Sequence, residues 1–363
     1  MSRLYLRPTG FVDAPFGYDG QVLRLAGGLA FFSSVEAIAV TDGRRAGQTL
    51  VPVERLDSFL GSLPSAQEEA ARAILARLTA PRPPLRLGQR TIPLDQPRVM
   101  SILNVTPDSF SDGGAYVDDP AGAAEAGMRM LEAGADLLDV GGESTRPGAA
   151  PVWEGDEIAR VRPVIERLAT AGAAVSIDTR KAAVMEAALD VGAALVNDVS
   201  ALSWDDRAPA LLAARDCPVV LMHHRPKPTL DARSDVLIEV YDWLEAAIGR
   251  AEAAGIDRAR IIVDPGLGAG SFGKRVRDNL ALLNGMALLH GLGCPVLVGA
   301  SRKSFIGALG NEAPVERRLG GSMATALAAT AQGAQLLRVH DAFDTVQALR
   351  VWRGLRDEAL SPL

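Results

Sequence analysis

Residues 98–114 read Arg-Val-Met-Ser-Ile-Leu-Asn-Val-Thr-Pro-Asp-Ser-Phe-Ser-Asp-Gly-Gly. Val99–Leu103 is an apolar run of strand length, Asn104 ends it, and a loop rich in Gly, Ser and Asp comes next. Strands that deliver a polar residue into a loop are how α/β enzymes bring chemistry to one rim. The loop offers oxygen acceptors for a metal in Asn104, Asp108 and Asp112, and a hinge at Gly113-Gly114. A plain surface loop can have the same composition, so the segment alone leaves catalysis and a bland turn equally open.

The same pattern repeats along the chain. Further apolar, β-branched runs stand at Leu137–Val140, Ala174–Ile177, Leu195–Val196, Val219–Met222, Ile261–Val263, Val296–Val298 and Leu336–Val339. Between them lie stretches with apolar residues at helical spacing, among them Pro120–Ala133, Ile158–Ala171, Ala182–Val191, Val236–Ala254 and Val315–Gln332. Continuous apolar strands alternating with amphipathic helices indicate a parallel sheet covered on both faces. Eight such units over about 260 residues fit a (β/α)8 TIM barrel. A doubly wound open sheet is the alternative, but Asn104–Gly114 lacks the Gly-x-Gly-x-x-Gly spacing of its dinucleotide loop.

Residues 1–97 form a separate N-terminal extension, expected to be a small α+β appendage, and residues 98–363 the barrel. The extension has apolar runs at Leu29–Phe32 and Ala37–Val40 and a helical stretch at Ala66–Leu78. Pro81-Arg82-Pro83-Pro84 breaks regular structure, and Leu85–Leu94 reads as a hairpin around Gly88-Gln89. No motif in it points to chemistry. Packing is its default role, with a dimer element or a partner-binding module as alternatives.

The net charge of −6 argues against a nucleic-acid-binding face. No apolar stretch is long enough to span a bilayer, and no signal-peptide pattern opens the chain. Cys217 and Cys294 each precede a proline and an apolar run, as small buried residues at strand entries do. With no disulfide framework, a cytoplasmic location is expected.

Every candidate strand ends in polar groups: Asn104; Asp139 before Gly141–Gly148; Asp178-Thr179-Arg180; Asn197-Asp198; His223-His224; Asp264-Pro265-Gly266; Ser301–Ser304; and Arg338, His340 and Asp341. Helix capping accounts for one such end more easily than for all eight. By sign, Asp178, Asn197 and Asp264 offer acceptors, while Arg146, Lys303, Arg338 and His340 offer positive charge or donors. Such a mouth can hold a hydrogen-bond-donating heterocycle on one side and an anion on the other.

Asn104–Gly114, DVGGESTRPG at 139–148, SIDTR at 176–180, NDVSA at 197–201, Asp264–Gly266, SRKS at 301–304 and RVHD at 338–341 closely resemble the dihydropteroate synthase family, over about Arg98 to Trp352. The resemblance implies a (β/α)8 barrel, usually dimeric. Its reaction joins p-aminobenzoate to 6-hydroxymethyl-7,8-dihydropterin pyrophosphate, with Mg2+ assisting the leaving group, in folate biosynthesis. It further implies that Asp178, Asn197, Asp264 and Lys303 take the pterin. Asn104, Arg338 and His340 would take pyrophosphate, Asn104 also holding Mg2+. Phe110, Thr145, Arg146, Pro147, Phe272 and Ser304 would line the p-aminobenzoate site, which sulfonamides share. Asp112, Arg146 and Lys303 would assist catalysis. Capping is the alternative for Asp178, Asn197 and Ser304, a Pro-Gly turn for Asp264, and a solvated charge pair for Arg338 with His340.

Two departures stand out. The run Asp264–Lys274 is about three residues longer than the family's usual Asp-Pro-Gly to Phe-Gly-Lys, so the family phenylalanine matches Phe272 or, in another register, Ala269. His223-His224 doubles the usual single histidine; adjacent strand residues face opposite ways, so one structural and one rim histidine are expected rather than a metal pair. The rival readings are a pterin-dependent methyltransferase-like barrel and a non-catalytic pterin-binding paralogue. The first would not need Asn104–Gly114 or the Arg338/His340 pair, and the second would tolerate loss of Asn104, Arg146, Lys303 or Arg338.

Overall fold

The structure, a computed structural model, describes residues 3–106, 119–143, 151–225, 235–269 and 273–361. The expectations placed on Asp108, Phe110, Asp112, Thr145, Arg146, Pro147 and Phe272 lie outside the described residues.

The N-terminal region contains strands β1 (Arg3–Val12), β2 (Leu23–Arg24), β3 (Phe31–Thr41) and β4 (Arg44–Pro52), then helices α1 (Leu56–Gly61) and α2 (Ser65–Thr79). β3 pairs antiparallel with β1, β2 and β4. Its alternating side chains serve two cores. Val35 and Ala37 pack with Leu6, Leu60 and Leu78 in a local cluster, while Ile38 and Val40 join Tyr5 in the main core of the protein. Next comes the expected hairpin, β5 (Leu85–Leu87) and β6 (Arg90–Ile92).

The eight predicted strands all form, as β7 (Arg98–Asn104), β8 (Leu137–Gly141), β9 (Val175–Asp178), β10 (Leu195–Asp198), β11 (Val219–Met222), β12 (Ile261–Asp264), β13 (Leu297–Val298) and β14 (Leu336–Val339). They are parallel and ordered β12-β11-β10-β9-β8-β7-β14-β13, and a parallel bridge from Val263 to Val296 brings the two ends together. The helices around them are α3 (Pro120–Glu132), α4 (Glu154–Thr170), α5 (Ala182–Asp190), α6 (Ala208–Ala214), α7 (Val236–Ala253), α8 (Val276–Gly285), α9 (Ser304–Leu309), α10 (Leu319–Ala331) and α11 (Ala342–Ala359). Side-chain caps start some of them: Asp119 accepts from Gly122 N–H at 2.9 Å at α3, and Asp235 from Leu237 N–H at 3.0 Å at α7. Both cysteines are free and buried. Among the described residues, no helix is long and apolar enough to cross a membrane.

The strand period of two divides the barrel interior into layers. The lowest contains Met100, Leu137, Ala174, Leu195, Val220, Ile262, Leu297 and Leu336, and the hairpin side chains Leu85, Leu87 and Ile92 pack against it from below, with Leu94 just beyond β6. The hairpin therefore plugs the floor of the barrel. One step up, five of the eight strands turn polar, while β7, β11 and β13 present Ile102, Met222 and Gly299.

Candidate active site at the barrel mouth

Asp139, Ser176, Asn197, Asp264 and Arg338 each stand two positions beyond a residue of the apolar floor. Arg338 is the hub. Its Nε donates to Asp139 Oδ2 at 2.6 Å and a terminal nitrogen donates to Asp178 Oδ2 at 2.6 Å. Asn197 Nδ2 donates to the same Asp139 oxygen at 2.9 Å. This orients the amide so that Asn197 turns its carbonyl oxygen away from Asp139. The other oxygen of Asp139 is buried with no hydrogen-bond partner among the described residues, and so is Ser176 Oγ. Buried acceptors in that condition suit a ligand with donor groups.

The pairing corrects the expected split of the mouth by sign. Arg338 does not face the acids from across the opening; it sits between two of them. Asp139, fully buried, and Asp178, half-buried, share one guanidinium, and desolvation outweighs the pull of Arg338 to push the Asp178 carboxyl up to about 7. Asp264 is raised by burial as well. Burial alone would lower Arg338, but Asp139 and Asp178 reverse this and raise it. His340 lies just past the end of β14, and burial together with Arg338 and Arg302 holds it down to about 3. The ring is thereby held neutral rather than positively charged. Its Nδ1 meets Ser301 Oγ at 3.1 Å.

These contacts bear on the alternatives for individual residues. Asp178 bonds Arg338 and not the start of α5, where Asp205 accepts from Ala182 N–H. Beside Asn197, it is Asp198 that shapes the turn, accepting from Ser200 and Leu202 N–H. Asp264 does form the turn: its Oδ1 accepts from Gly266 N–H at 2.6 Å. Its Oδ2 still faces the mouth, 3.8 Å from where a side-chain carbon on Gly299 would stand.

Lys303 is half-buried before α9, and burial and Arg338 lower it to about 8 against the pull of Asp264 and Asp178. It is carried by Arg302, a non-glycine residue at φ 57°. That conformation is strained and persists because it is held from several sides. Arg302 N–H donates to Ser322 Oγ, its carbonyl accepts from Arg318, and its guanidinium pairs with Asp341. Ser304 opens α9 and is exposed. Asn104 ends β7 with Gly141 beside it, where an added carbon would lie 3.5 Å from Asn104 Oδ1.

The histidine pair departs from its expectation in one respect. His223 is 1% exposed and His224 half-buried, as the structural and rim roles require. Yet both rings pack edge-on against Trp243, because both residues lie beyond the end of β11, where strand alternation no longer applies.

Residues not singled out from the sequence complete the site. Asp139 was read as a polar strand end and the head of a motif but given no role; its inward parity with Leu137 was the available signal. Glu157 is fully buried, accepting from Thr179 Oγ1 at 2.7 Å and Lys181 Nζ at 2.5 Å. Lys181 also reaches Glu143 at 3.2 Å, and Glu143 accepts from Val152 N–H, which ties the second and third loops together.

The chain is similar to known proteins over its barrel. A family model described as pterin binding enzyme matches residues 100–340. A dihydropteroate synthase of Neisseria meningitidis serogroup B is 46% identical over 275 residues, covering 74% of this chain and 96% of that relative. The chain belongs to the dihydropteroate synthase family. Among solved structures, the Xanthomonas albilineans dihydropteroate synthase with 4-aminobenzoic acid is 48% identical, covers 76% of this chain and 98% of its own, and gives a TM-score of 0.70. Another from the same organism, in complex with 7,8-dihydropteroate, is 44% identical over 76% of this chain and 98% of its own, with a TM-score of 0.66. The sheet β1–β4 and helices α1 and α2 lie outside the family match.

Proposed function

We propose that the polar layer of this barrel binds the pterin of the family reaction and that the rim above it handles the other groups. The protein is a transferase joining p-aminobenzoate to 6-hydroxymethyl-7,8-dihydropterin pyrophosphate, which yields 7,8-dihydropteroate and pyrophosphate. The observation that carries the assignment of roles is the cluster Asp139, Asp178, Asn197 and Asp264 around Arg338. An aminopterin edge is rich in N–H donors, and the cluster supplies buried oxygens to accept them.

The C–O bond to pyrophosphate breaks, the amine nitrogen of p-aminobenzoate bonds to the freed methylene carbon, and the amine loses a proton. Positive charge develops on the pterin methylene and spreads into the ring. Fixed carboxylates close to that ring stabilise it without reorganisation. Lys303, Arg338 and neutral His340 would hold the departing pyrophosphate and the pterin, and Ser304 the p-aminobenzoate carboxylate. Asp112, Arg146, Phe110, Thr145, Pro147 and Phe272 keep the roles the resemblance gives them.

Among the described residues no group of three His, Cys, Asp or Glu could hold a metal ion. Mg2+ keeps much of its water and often binds through one protein oxygen plus substrate phosphates. Asn104 Oδ1 fits an ion that arrives with the pyrophosphate, which would neutralise charge on the leaving group. A homodimer is the proposed assembly; Phe343, Val351 and Leu355, all exposed along one side of α11, offer an apolar contact. The free buried cysteines suit the proposed cytoplasmic location.

Incubating the pure protein with dihydropterin pyrophosphate, p-aminobenzoate and Mg2+ tests the reading. Dihydropteroate and pyrophosphate should appear together, and the absence of both refutes it. The longer loop should alter sulfonamide binding: equal sulfonamide Ki for the enzyme and an active variant lacking Gly268–Gly270 would remove that expectation.

A further inference from the structure

Lys274 is 3% exposed and lies behind the pterin cluster, on the far side of the Asp264–Gly266 turn. Its Nζ donates to Gly266 O at 2.7 Å and meets His223 Nδ1 at 2.9 Å. Two close approaches create its niche. At Gly266, with φ +65°, an added side-chain carbon would stand 1.9 Å from His223 O; at Gly273, also at φ +65°, it would stand 2.6 Å from Arg225 O. Both positions demand glycine, for conformation and for space. The turn that bears Asp264 is thus pressed onto the residues after β11, with a lysine head group inserted at the junction.

We propose that Lys274 is a positioning residue for Asp264: its ammonium fixes the turn through Gly266 O and, together with Lys303, supplies the positive charge that keeps the buried carboxylate ready to accept from the pterin. The proposal rests on the reading of Asp264 as a pterin contact. His223 supports it. Burial, then Lys274 and Arg225, push that ring down to about 2, so it is neutral and its Nδ1 can accept from the ammonium. The charged and titratable groups facing Lys274 are Asp264 from β12, His223, His224 and Arg225 beyond β11, Glu239 from α7, and Lys303 before α9. Burial lowers Lys274 to about 7 and Asp264 partly restores it. The support is therefore strongest below neutrality and fades as pH rises.

The test measures binding of 6-hydroxymethyl-7,8-dihydropterin, lacking the pyrophosphate, by calorimetry from mildly acidic to mildly alkaline pH. The full-length wild type is compared with Lys274→Met, Lys274→Gln and Asp264→Asn. Lys274→Met should bind about tenfold more weakly at neutral pH, the size of a lost charge-assisted hydrogen bond. Lys274→Gln keeps a donor without charge; it should fold like the wild type yet lose the alkaline decline in affinity attributable to Lys274. A Gln variant with wild-type affinity and an unchanged pH profile overturns the proposal, and it decides the matter if the Met variant fails to fold. Wild-type affinity in Asp264→Asn would instead overturn the reading of Asp264 itself.

Discussion

Leu137 and Asp139 stand two residues apart on β8 and face the same way, yet the first lies in the apolar floor and the second beneath Arg338. The same step separates Ala174 from Ser176, Leu195 from Asn197, Ile262 from Asp264 and Leu336 from Arg338. The floor is interchangeable hydrocarbon whose only task is to fill space. In the layer above, position matters: Asp139 Oδ2 is fixed by Arg338 and Asn197, while Asp139 Oδ1 and Ser176 Oγ have no hydrogen-bond partner among the described residues. One rise of the strand is enough to pass from scaffold to chemistry because the backbone hydrogen bonds of the closed sheet hold both layers rigidly.

Substitutions can break this contrast. Arg338→Met should have the largest effect, lowering kcat/KM by about a hundredfold or more. It should also cost about 3 kcal/mol of stability, since it leaves Asp139 and Asp178 buried without their counter-charge. Steady-state kinetics and urea unfolding would show both. Because Arg338 holds Asp178, pterin binding should suffer along with pyrophosphate binding; a loss confined to pyrophosphate would contradict the hub. Leu336→Ala, one layer down, should cost a similar 3 kcal/mol or so in unfolding while leaving both KM values nearly unchanged.

Asp178 sharpens the contrast through pH. Its folded carboxyl is raised to about 7, above the ordinary unfolded value near 4, so the folded state holds the proton more tightly. Its contribution to stability is fully present below about pH 4 and is lost as pH rises to about 7. Pterin affinity should run the opposite way, increasing as the carboxylate ionises. Thermal unfolding of the ligand-free protein and calorimetric titration, each across this window, should show opposed slopes that flatten in Asp178→Asn. The smallest effect is expected for Arg45→Ala on β4, whose partly exposed pair with Asp235 contributes about 0.5 kcal/mol and should leave kcat and KM alone.

The strands were readable because each is a continuous apolar run, and the hairpin was readable from Gly88-Gln89. The hairpin's place was not. Leu85 and Leu87 look like any half-buried strand until the barrel closes over them. Arg338 was recognisable as a site residue, but its partners are 199 and 160 positions away, and only ring closure brings β14 alongside β7 and so near β8 and β9. Lys274 carried no signal beyond its motif, because burial of a lysine depends on glycines elsewhere making room for it.

The plug formed by β5 and β6 has a consequence for traffic. With its lower end stopped, the barrel is a blind alley, and molecules enter and leave by one door. Whatever rests on Asp178 and Asp264 must go in before anything seated above it, and a joined product has to back out along the same path. The order of events is then imposed by depth, and the packed floor that the hairpin covers from below enforces it.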